Sequence, residues 1–148
     1  MQLHCKTFAA LTNYELYAIL KARVDIFVVE QKCAYPEIDG LDLQAYHLFL
    51  TEGEELKAYL RVFLAPNDKE TAIIGRVLST ERRRGYALQM LHTGIQCIQE
   101  KFSATRIQIE AQVYARSLYE KVGFRQISAE FLEDGIPHIK MELILANS

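Results

Sequence analysis

Apolar and polar residues recur with two different periods along the chain, and each period predicts a different kind of element. The short stretch Leu3 to Phe8 predicts a first strand. Between residues 16 and 27, apolar side chains return every three or four positions, which is the spacing of one helix face. Thr12 and Glu15 match a capping box and predict where this helix begins. The polar segment 31–46 that follows predicts a long ordered loop or a short helix.

Strand-like patterns dominate the rest of the chain, with helical spacing returning twice. Apolar residues fall on one face over 88–102 and again over 115–122, where Gly123 ends the second, shorter helix. The strands are predicted over 47–51, 56–64, 73–79, 107–112 and a terminal hairpin of 124–132 and 138–145. This order, with adjacent strands and interspersed helices, predicts an α+β protein built on one mixed sheet.

Composition narrows the class of protein. A length of 148 residues suits a single domain over 1–148. The net charge of −2 gives no basic field that would favour nucleic acid. No apolar run reaches the roughly 18 residues that a membrane span needs, and the first residues lack a signal-peptide core, so we expect a cytoplasmic protein without a membrane partner.

The cysteines and histidines show no metal-ligand spacing. Cys5, Cys33 and Cys97 lie far apart in the sequence, which predicts reduced thiols, buried or idle; a nucleophilic cysteine is the alternative. The four histidines form no HExxH-type pair, so no metal site is expected.

The strongest candidate site is the basic segment 82–87 between a predicted strand and a predicted helix. Gly85 would let the backbone turn tightly and expose its N–H groups at the positive end of the helix. Three adjacent arginines add positive charge at the same place. Such a segment suits a pyrophosphate group. The residues alone also fit a solvated basic helix start, and both interpretations stay open.

Several motifs favour the interpretation of this segment as a pyrophosphate site. Arg82-x-x-Gly85-x-Ala87 resembles the Q/R-x-x-G-x-G/A signature of the GNAT superfamily, and the segment 115–124 resembles the second signature, A-x-x-L-Y-x-K-x-G-F. Further blocks resemble the ElaA-like branch of that superfamily: 27–31, 35–36, 38–40, 74–77, 111–112 and 133–139. The similarity extends over nearly the whole chain, from about Leu16 to Met141.

The resemblance implies a fold, a cosubstrate and a set of contacts. A GNAT-like mixed sheet, flanked by helices, would splay open and hold acetyl-CoA in its cleft. The residues it would place beside acetyl-CoA are Val77, Leu78, Ser79, Arg82, Arg83, Arg84, Gly85, Tyr86, Ala87, Gln112 and Ser117. The link from Val77 to the arginine motif is about two residues shorter than in relatives, so the motif could also begin at Arg84-Gly85.

The resemblance also implies catalytic groups. Tyr119 stands where the family keeps the acid that protonates the departing CoA thiolate, and a phenol has a suitable pKa. Tyr119 also fits a core aromatic, since its spacing places it on the apolar helix face. Glu110 shares a strand face with Gln112 and is the candidate base; a solvated carboxylate is the alternative.

The acceptor side is predicted from charge and from histidines. Glu30, Glu37, Asp39 and Asp42 cluster in the long loop and could attract a cationic amine, although such residues also simply form turns. His47 and His138 lie in family-like blocks and are placed on the substrate side; a structural role is the alternative.

These observations predict three possible functions, given in order of preference. The first is an N-acetyltransferase that moves acetyl from acetyl-CoA to a primary amine on a small molecule or peptide. The second is a non-catalytic acyl-CoA-binding module, which the presence of Tyr119 disfavours. The third, nucleic-acid binding through the arginines, is disfavoured by the acidic net charge. The sequence leaves the oligomeric state open, a homodimer included.

Overall fold

The computed structural model describes residues 1–82 and 84–145. They form one eight-stranded mixed sheet with helices on both faces. The strands are β1 (Gln2–Thr7), β2 (Tyr46–Glu52), β3 (Glu55–Ala65), β4 (Asp68–Ser79), β5 (Arg106–Gln112), β6 (Arg125–Gln126), β7 (Phe131–Glu133) and β8 (Ile136–Ile144). The α-helices are α1 (Asn13–Arg23), α2 (Tyr86–Lys101) and α3 (Arg116–Glu120).

The first helix begins where the sequence predicts. The Glu15 N–H donates to Thr12 Oγ1 at 3.0 Å and the Thr12 N–H donates to Glu15 Oε1 at 2.9 Å, so the capping box is confirmed. The helical path then changes at Val24 into a π-helix that runs to Glu30. π-helical turns are rare and often mark functional sites. Apolar periodicity predicts the helix but not this change of hydrogen bonding.

The two faces of the sheet bury different residues. On β3, Ala58, Leu60 and Val62 belong to the core under α2, whereas Tyr59 belongs to a smaller core under α1. This alternation is the period of two that a strand requires. Gly94 brings α2 close to β3, since a side chain there would lie 3.2 Å from the Leu60 Cδ1 atom.

Sheet order creates an opening in the middle of the sheet. The order is β1-β2-β3-β4-β5-β8-β6, with β7 on β8, and β4 and β5 are parallel. These two strands pair only from Thr71 to Ile73 with Arg106 to Gln108. Beyond those residues the strands part, although β4 continues to Ser79 and β5 to Gln112.

The terminal hairpin differs from its prediction. The expected strand over 124–132 is split into β6 and β7, and the two short strands pair with different parts of β8. The turn lies between the two predicted strands, and Asp134 and Gly135 both have positive φ, at 51° and 78°, which suits a tight two-residue hairpin. No helix in the described part of the chain is long and apolar enough to cross a membrane.

Candidate functional site

The site begins with the unpaired strand edges in the middle of the sheet. Among the described residues, β4 from Ile74 to Ser79 pairs with β3 alone, and β5 from Ile109 to Gln112 pairs with β8 alone. Each strand therefore presents backbone N–H and C=O groups toward the gap without a strand partner. An extended ligand with amide groups can complete such an edge.

A bulge in β4 lies beside this gap. The pairing of β3 and β4 shifts by one residue between Tyr59 and Arg61, and Arg76 has a φ of 53°. A left-handed conformation is uncommon for a residue with a side chain. Bulges of this kind bend a strand and redirect its side chains. Here the bulge falls at the point where β4 has left β5.

The start of α2 provides free backbone donors next to the strand end. Gly85 is the N-cap in a left-handed conformation, with a φ of 74°. The first helical bond runs from the Gln89 N–H to the Gly85 carbonyl at 3.1 Å, so the N–H groups of Tyr86, Ala87 and Leu88 have no partner inside the helix. No side chain caps these donors in the described residues. An anion is the usual ligand of such a helix start.

Two of the three predicted arginines surround this helix start. The Arg82 guanidinium is almost fully exposed and lies 3.6 Å from the Glu30 carboxylate, at the end of the π-helix. The Arg84 guanidinium is also exposed and lies 3.6 Å from Glu81. Arg83 lies outside the described residues. The predicted contact residues of β4 are close by in sequence, where Leu78 is buried and the Ser79 hydroxyl donates to the Glu81 carbonyl at 2.7 Å.

Tyr119 lies in α3 with its ring in the core under α2. The residue is 6% exposed, and its ring meets Phe124 edge to face at 6.1 Å. Burial, with a smaller contribution from Tyr114, raises the pKa of Tyr119 above its ordinary value. Its hydroxyl makes no hydrogen bond within the described residues. Both predicted interpretations, core aromatic and proton donor, are compatible with this position.

The beginning of the long loop is attached to the end of β5. Gln31 and Gln112 exchange hydrogen bonds through their side-chain amides, at 3.2 Å and 3.5 Å. The Cys33 thiol contacts the Asp134 carbonyl at 3.6 Å. Segment 31–34 therefore bridges β5 and the β7–β8 turn on the sheet face opposite α2. Ser117, predicted beside the cosubstrate, is exposed near the start of α3.

Three titratable groups meet under this bridge. Glu110, Glu133 and His138 share one sheet face, since Glu110 lies opposite Lys140 and His138 lies opposite both Gln112 and Phe131. Burial first, and then the Glu110 carboxylate and a hydrogen bond with it, raise the pKa of Glu133. Glu110 therefore belongs to a carboxyl pair rather than standing alone as a solvated strand-end carboxylate.

The tautomer of His138 follows from its partners. Its Nδ1 lies 2.7 Å from the Ile136 carbonyl, which can only accept, so Nδ1 carries a proton. The other nitrogen, Nε2, lies 3.6 Å from Glu133 Oε2. Glu133 and His138 therefore lie side by side on this face, with Nε2 of the imidazole directed toward the carboxylate.

The structure corrects the predicted role of the acidic loop. Three of its carboxylates form an ion network with arginines from three elements, buried except at Asp39 and Arg76: Arg23, Arg61, Arg76, Glu37, Asp39 and Asp42. Three positive charges balance three negative charges, so this cluster offers no free negative charge to a cationic amine. Burial alone would raise the pKa of Asp39, but hydrogen bonds from Arg61 and from the Leu41 N–H, with the nearby arginine charges, lower it to about 2.

The structure likewise does not place His47 where an acceptor could reach it. It is completely buried, its Nε2 donates to the Asp42 carbonyl at 2.9 Å, and its Nδ1 accepts from the Tyr59 hydroxyl at 2.6 Å. Burial lowers the pKa of His47, which keeps the ring neutral. With both nitrogens occupied and no exposed surface, His47 supports the loop, and the predicted substrate contact is not retained.

Sequence reasoning missed Gln31, Glu133 and the three network arginines. Arg23 interrupts the apolar face of α1, and Arg61 interrupts a strand that is otherwise buried. A charged residue at a core position signals a buried partner, and this signal could have indicated the network. Among residues 1–82 and 84–145, no group of three histidine, cysteine or carboxylate side chains could hold a metal ion.

Comparison with known proteins gives a consistent result. Residues 22–145 match the family described as the acetyltransferase (GNAT) domain. A UPF0039 protein of Schizosaccharomyces pombe is 42% identical over 144 residues, which is 95% of each chain. Protein ElaA of Escherichia coli is 35% identical over 88% of each chain.

Solved structures agree with these relatives. An acyl-CoA N-acyltransferase from Pseudomonas aeruginosa superposes with a TM-score of 0.89 at 38% identity, covering 96% of this chain and 99% of that one. Escherichia coli ElaA superposes with a TM-score of 0.89 at 31% identity, covering 95% and 97%. These matches confirm the predicted fold class and the resemblance on which it rested.

Proposed function

The chain belongs to the GNAT acetyltransferase family, and from this premise we propose that it transfers the acetyl group of acetyl-CoA to a primary amine. The observation that carries the proposal is the parting of β4 and β5, with the free N–H groups of α2 at one end of the opening. A strand edge suits the amides of a pantetheine arm, and a helix start suits a pyrophosphate. The strand edge and the helix start follow one another along the opening, as the pantetheine arm and the pyrophosphate follow one another in CoA.

The phosphate end of the proposed site uses backbone donors and two arginines. The N–H groups of Tyr86 and Ala87 would bind phosphate oxygens, and Arg82 and Arg84 would add charge from their exposed positions. The positive φ of Gly85 favours the motif register that begins at Arg82, because the glycine then stands at the turn into the helix. Val77, Leu78 and Ser79 would contribute backbone groups.

The chemical step needs one proton donor and one proton acceptor. The amine nitrogen forms a bond to the thioester carbon, the carbon–sulfur bond breaks, and the departing thiolate takes a proton. Tyr119 is the proposed donor, since a phenol is protonated at neutral pH and can give its proton to the thiolate as it forms. The proton that the amine loses goes to the carboxyl pair of Glu110 and Glu133, close to His138. One proton is donated and one accepted, so the step balances.

The acceptor is proposed to enter from the face that carries Glu110 and His138. This is the face opposite α2, where Gln31 and Gln112 join the loop to β5. Glu30 stands at the outer end of the same loop, 3.6 Å from the Arg82 guanidinium, and its predicted role toward a cationic amine requires Arg82 to bind phosphate instead. Asp39 is omitted because Arg61 and Arg76 neutralise it.

The test combines an acceptor screen with a matched pair of variants. Purified protein is mixed with acetyl-CoA and a panel of amines, and free CoA thiol is followed. Gly85→Asp adds a carboxylate beside the proposed phosphate site, whereas Gly85→Asn has nearly the same shape without the charge. A side chain at residue 85 meets no atom within 4 Å, and Asn tolerates positive φ well. We expect Gly85→Asp to abolish CoA binding by calorimetry and Gly85→Asn to retain most of it.

Two outcomes would contradict the proposal in different ways. Equal CoA affinity in folded Gly85→Asp and wild type would remove the pyrophosphate site. Tight CoA binding, with no CoA thiol released in the presence of any amine, would favour the alternative function, a non-catalytic acyl-CoA-binding module.

A further inference from the structure

Two cysteines that are distant in sequence meet beneath the edge of the sheet. The Sγ atoms of Cys5, in β1, and Cys97, in α2, lie 3.5 Å apart. Cys5 is paired with Leu48, whose side chain belongs to the core under α2, so both point toward the helix. Because β1 is the first strand of the sheet, Cys5 remains exposed while Cys97 is buried.

The surroundings of this pair are polar and accessible. A cavity of about 170 Å³ adjoins both thiols, and its lining comprises Cys5, Leu48, Thr93, Gln96, Cys97, Glu100 and Lys101. Lys101 lies one helical turn beyond Cys97 and supplies a positive charge. A small polar molecule has room to reach the sulfur atoms, and a cation near a thiol favours its reactive thiolate form.

The two thiols differ in where the proton resides. A hydrogen bond from Cys97, assisted by the charge of Lys101, lowers the pKa of Cys5 to about 7, although partial burial opposes the shift. The same contact and burial raise the pKa of Cys97. The exposed sulfur is therefore the nucleophile, and the buried sulfur keeps its proton and stands next to it.

We propose that Cys5 and Cys97 form a peroxide-reactive dithiol site that closes reversibly into a disulfide between β1 and α2. In the first step the Cys5 thiolate attacks one peroxide oxygen, the oxygen–oxygen bond breaks, and hydroxide leaves and becomes water. Cys5 is then a sulfenic acid. In the second step the Cys97 sulfur attacks the Cys5 sulfur, the sulfur–oxygen bond breaks, and a second water leaves. Two thiols are oxidised by two electrons and one peroxide is reduced to two waters.

The third cysteine provides an internal comparison. Cys33 lies on the opposite face of the sheet, its thiol contacts the Asp134 carbonyl at 3.6 Å, and burial raises its pKa. It has neither the accessible thiolate nor the adjacent resolving thiol. The site is also separate from the proposed acetyltransferase site, so the two proposals stand or fail independently.

The experiment treats reduced protein with hydrogen peroxide, alkylates the remaining thiols and measures the intact mass and the non-reduced peptides. We expect a linked Cys5–Cys97 peptide with Cys33 alkylated, and full reversal by dithiothreitol. Closing the long loop between the two residues should raise Tm by roughly 5–15 °C. Cys97→Ser should stop at a Cys5 sulfenic acid that dimedone traps.

Matched variants keep the test decisive. Cys33→Ser should form the disulfide at the wild-type rate, whereas Lys101→Gln should slow Cys5 oxidation by about threefold, because the thiolate loses its nearby cation. Free Cys5 and Cys97 after complete oxidation of Cys33, or disulfides only between molecules, would overturn the proposal. Sulfenic acid on Cys5 that persists in the wild type would also overturn it, because Cys97 would then not resolve the sulfenic acid.

Discussion

At the scale of single residues, the hydroxyl of Tyr119 separates a catalytic role from a packing role. The ring packs against Phe124 and is almost completely buried, which any core aromatic would do. The hydroxyl has no hydrogen-bond partner among the described residues, and burial raises its pKa. A proton donor needs this hydroxyl to reach the reacting atoms, whereas a packing role needs only the ring.

Tyr119→Phe removes that hydroxyl and keeps the ring. In a single-turnover experiment we expect the acetyl-transfer step to slow by about 10²–10⁴-fold, because the thiolate must take its proton from water. CoA affinity should stay the same, since the interaction belongs to the transition state. Tyr46→Phe is the control, because that ring packs on Phe102 beneath another part of the sheet. A full chemical rate in a folded Tyr119→Phe protein would make Tyr119 a core residue only.

The carboxyl pair gives a prediction about pH. Glu133 must be ionised to accept a proton, and burial together with Glu110 raises its pKa, so activity should fall as pH drops through that raised value. Glu110→Gln removes the like charge and the hydrogen bond, which lowers the pKa of Glu133. The acidic limb of the kcat/KM profile should therefore move to lower pH.

The matched control for this pair is Glu142→Gln. Glu142 lies on the same face of β8 but accepts a hydrogen bond from Gln108 at 2.9 Å instead of meeting Glu133. Its substitution should leave the acidic limb in place. An acidic limb that does not move in Glu110→Gln, or that moves equally in both variants, would show that Glu133 is not the group that titrates.

At the scale of elements, the buried ion network joins the long loop to three parts of the fold. Arg23 ends α1, Arg61 comes from β3, and Arg76 stands at the bulge of β4. Glu37 accepts hydrogen bonds from Arg23 and Arg76, each at 2.7 Å. Because the three arginines come from α1, β3 and β4 and not from the loop, the loop conformation depends on the assembled sheet and helix.

Arg23→Met tests this dependence. The substitution leaves Glu37 and Asp42 buried with one fewer arginine each, and breaking a buried pair in this way costs about 3 kcal/mol of unfolding free energy. Lys21→Met, two residues earlier, removes an exposed ion pair with Asp25 and should leave stability unchanged. Urea unfolding of both variants measures the difference. Equal stability in the two would mean that the network does not anchor the loop.

At the scale of the whole molecule, the opening between β4 and β5 is the predicted place of CoA. CoA at one hundred times its Kd should stabilise the protein by about 2.7 kcal/mol. Hydrogen exchange should show which residues CoA protects. Amides of residues 74–79 and 85–89 should exchange more slowly with CoA bound, whereas β1 and β2 should not change.

A second, larger cavity offers the contrasting outcome. It measures about 560 Å³ and lies between α1 and the outer strands, with His4, Phe49 and Leu56 in its wall. Protection of those residues, with no change over 74–79, would place the ligand there and contradict the proposed site.

The sequence by itself determined the local elements. Periodicity predicted the helices and most strands, Thr12 and Glu15 predicted the cap of α1, and Gly85 predicted the turn into α2. These features depend on side chains within one or two turns of each other, so neighbouring residues are sufficient to specify them. The strand predicted over 124–132 could not be predicted correctly in this way, because its division into β6 and β7 depends on the register with β8.

Only the tertiary structure decided which distant groups meet. It paired the loop carboxylates with Arg23, Arg61 and Arg76, and it placed Cys5 beside Cys97. A carboxylate or thiol has the same local pattern whether it is solvated or paired, since its partner stands many residues away. The pKa, the charge balance and the reactivity of these groups depend on that partner, and therefore on the order and parting of the strands.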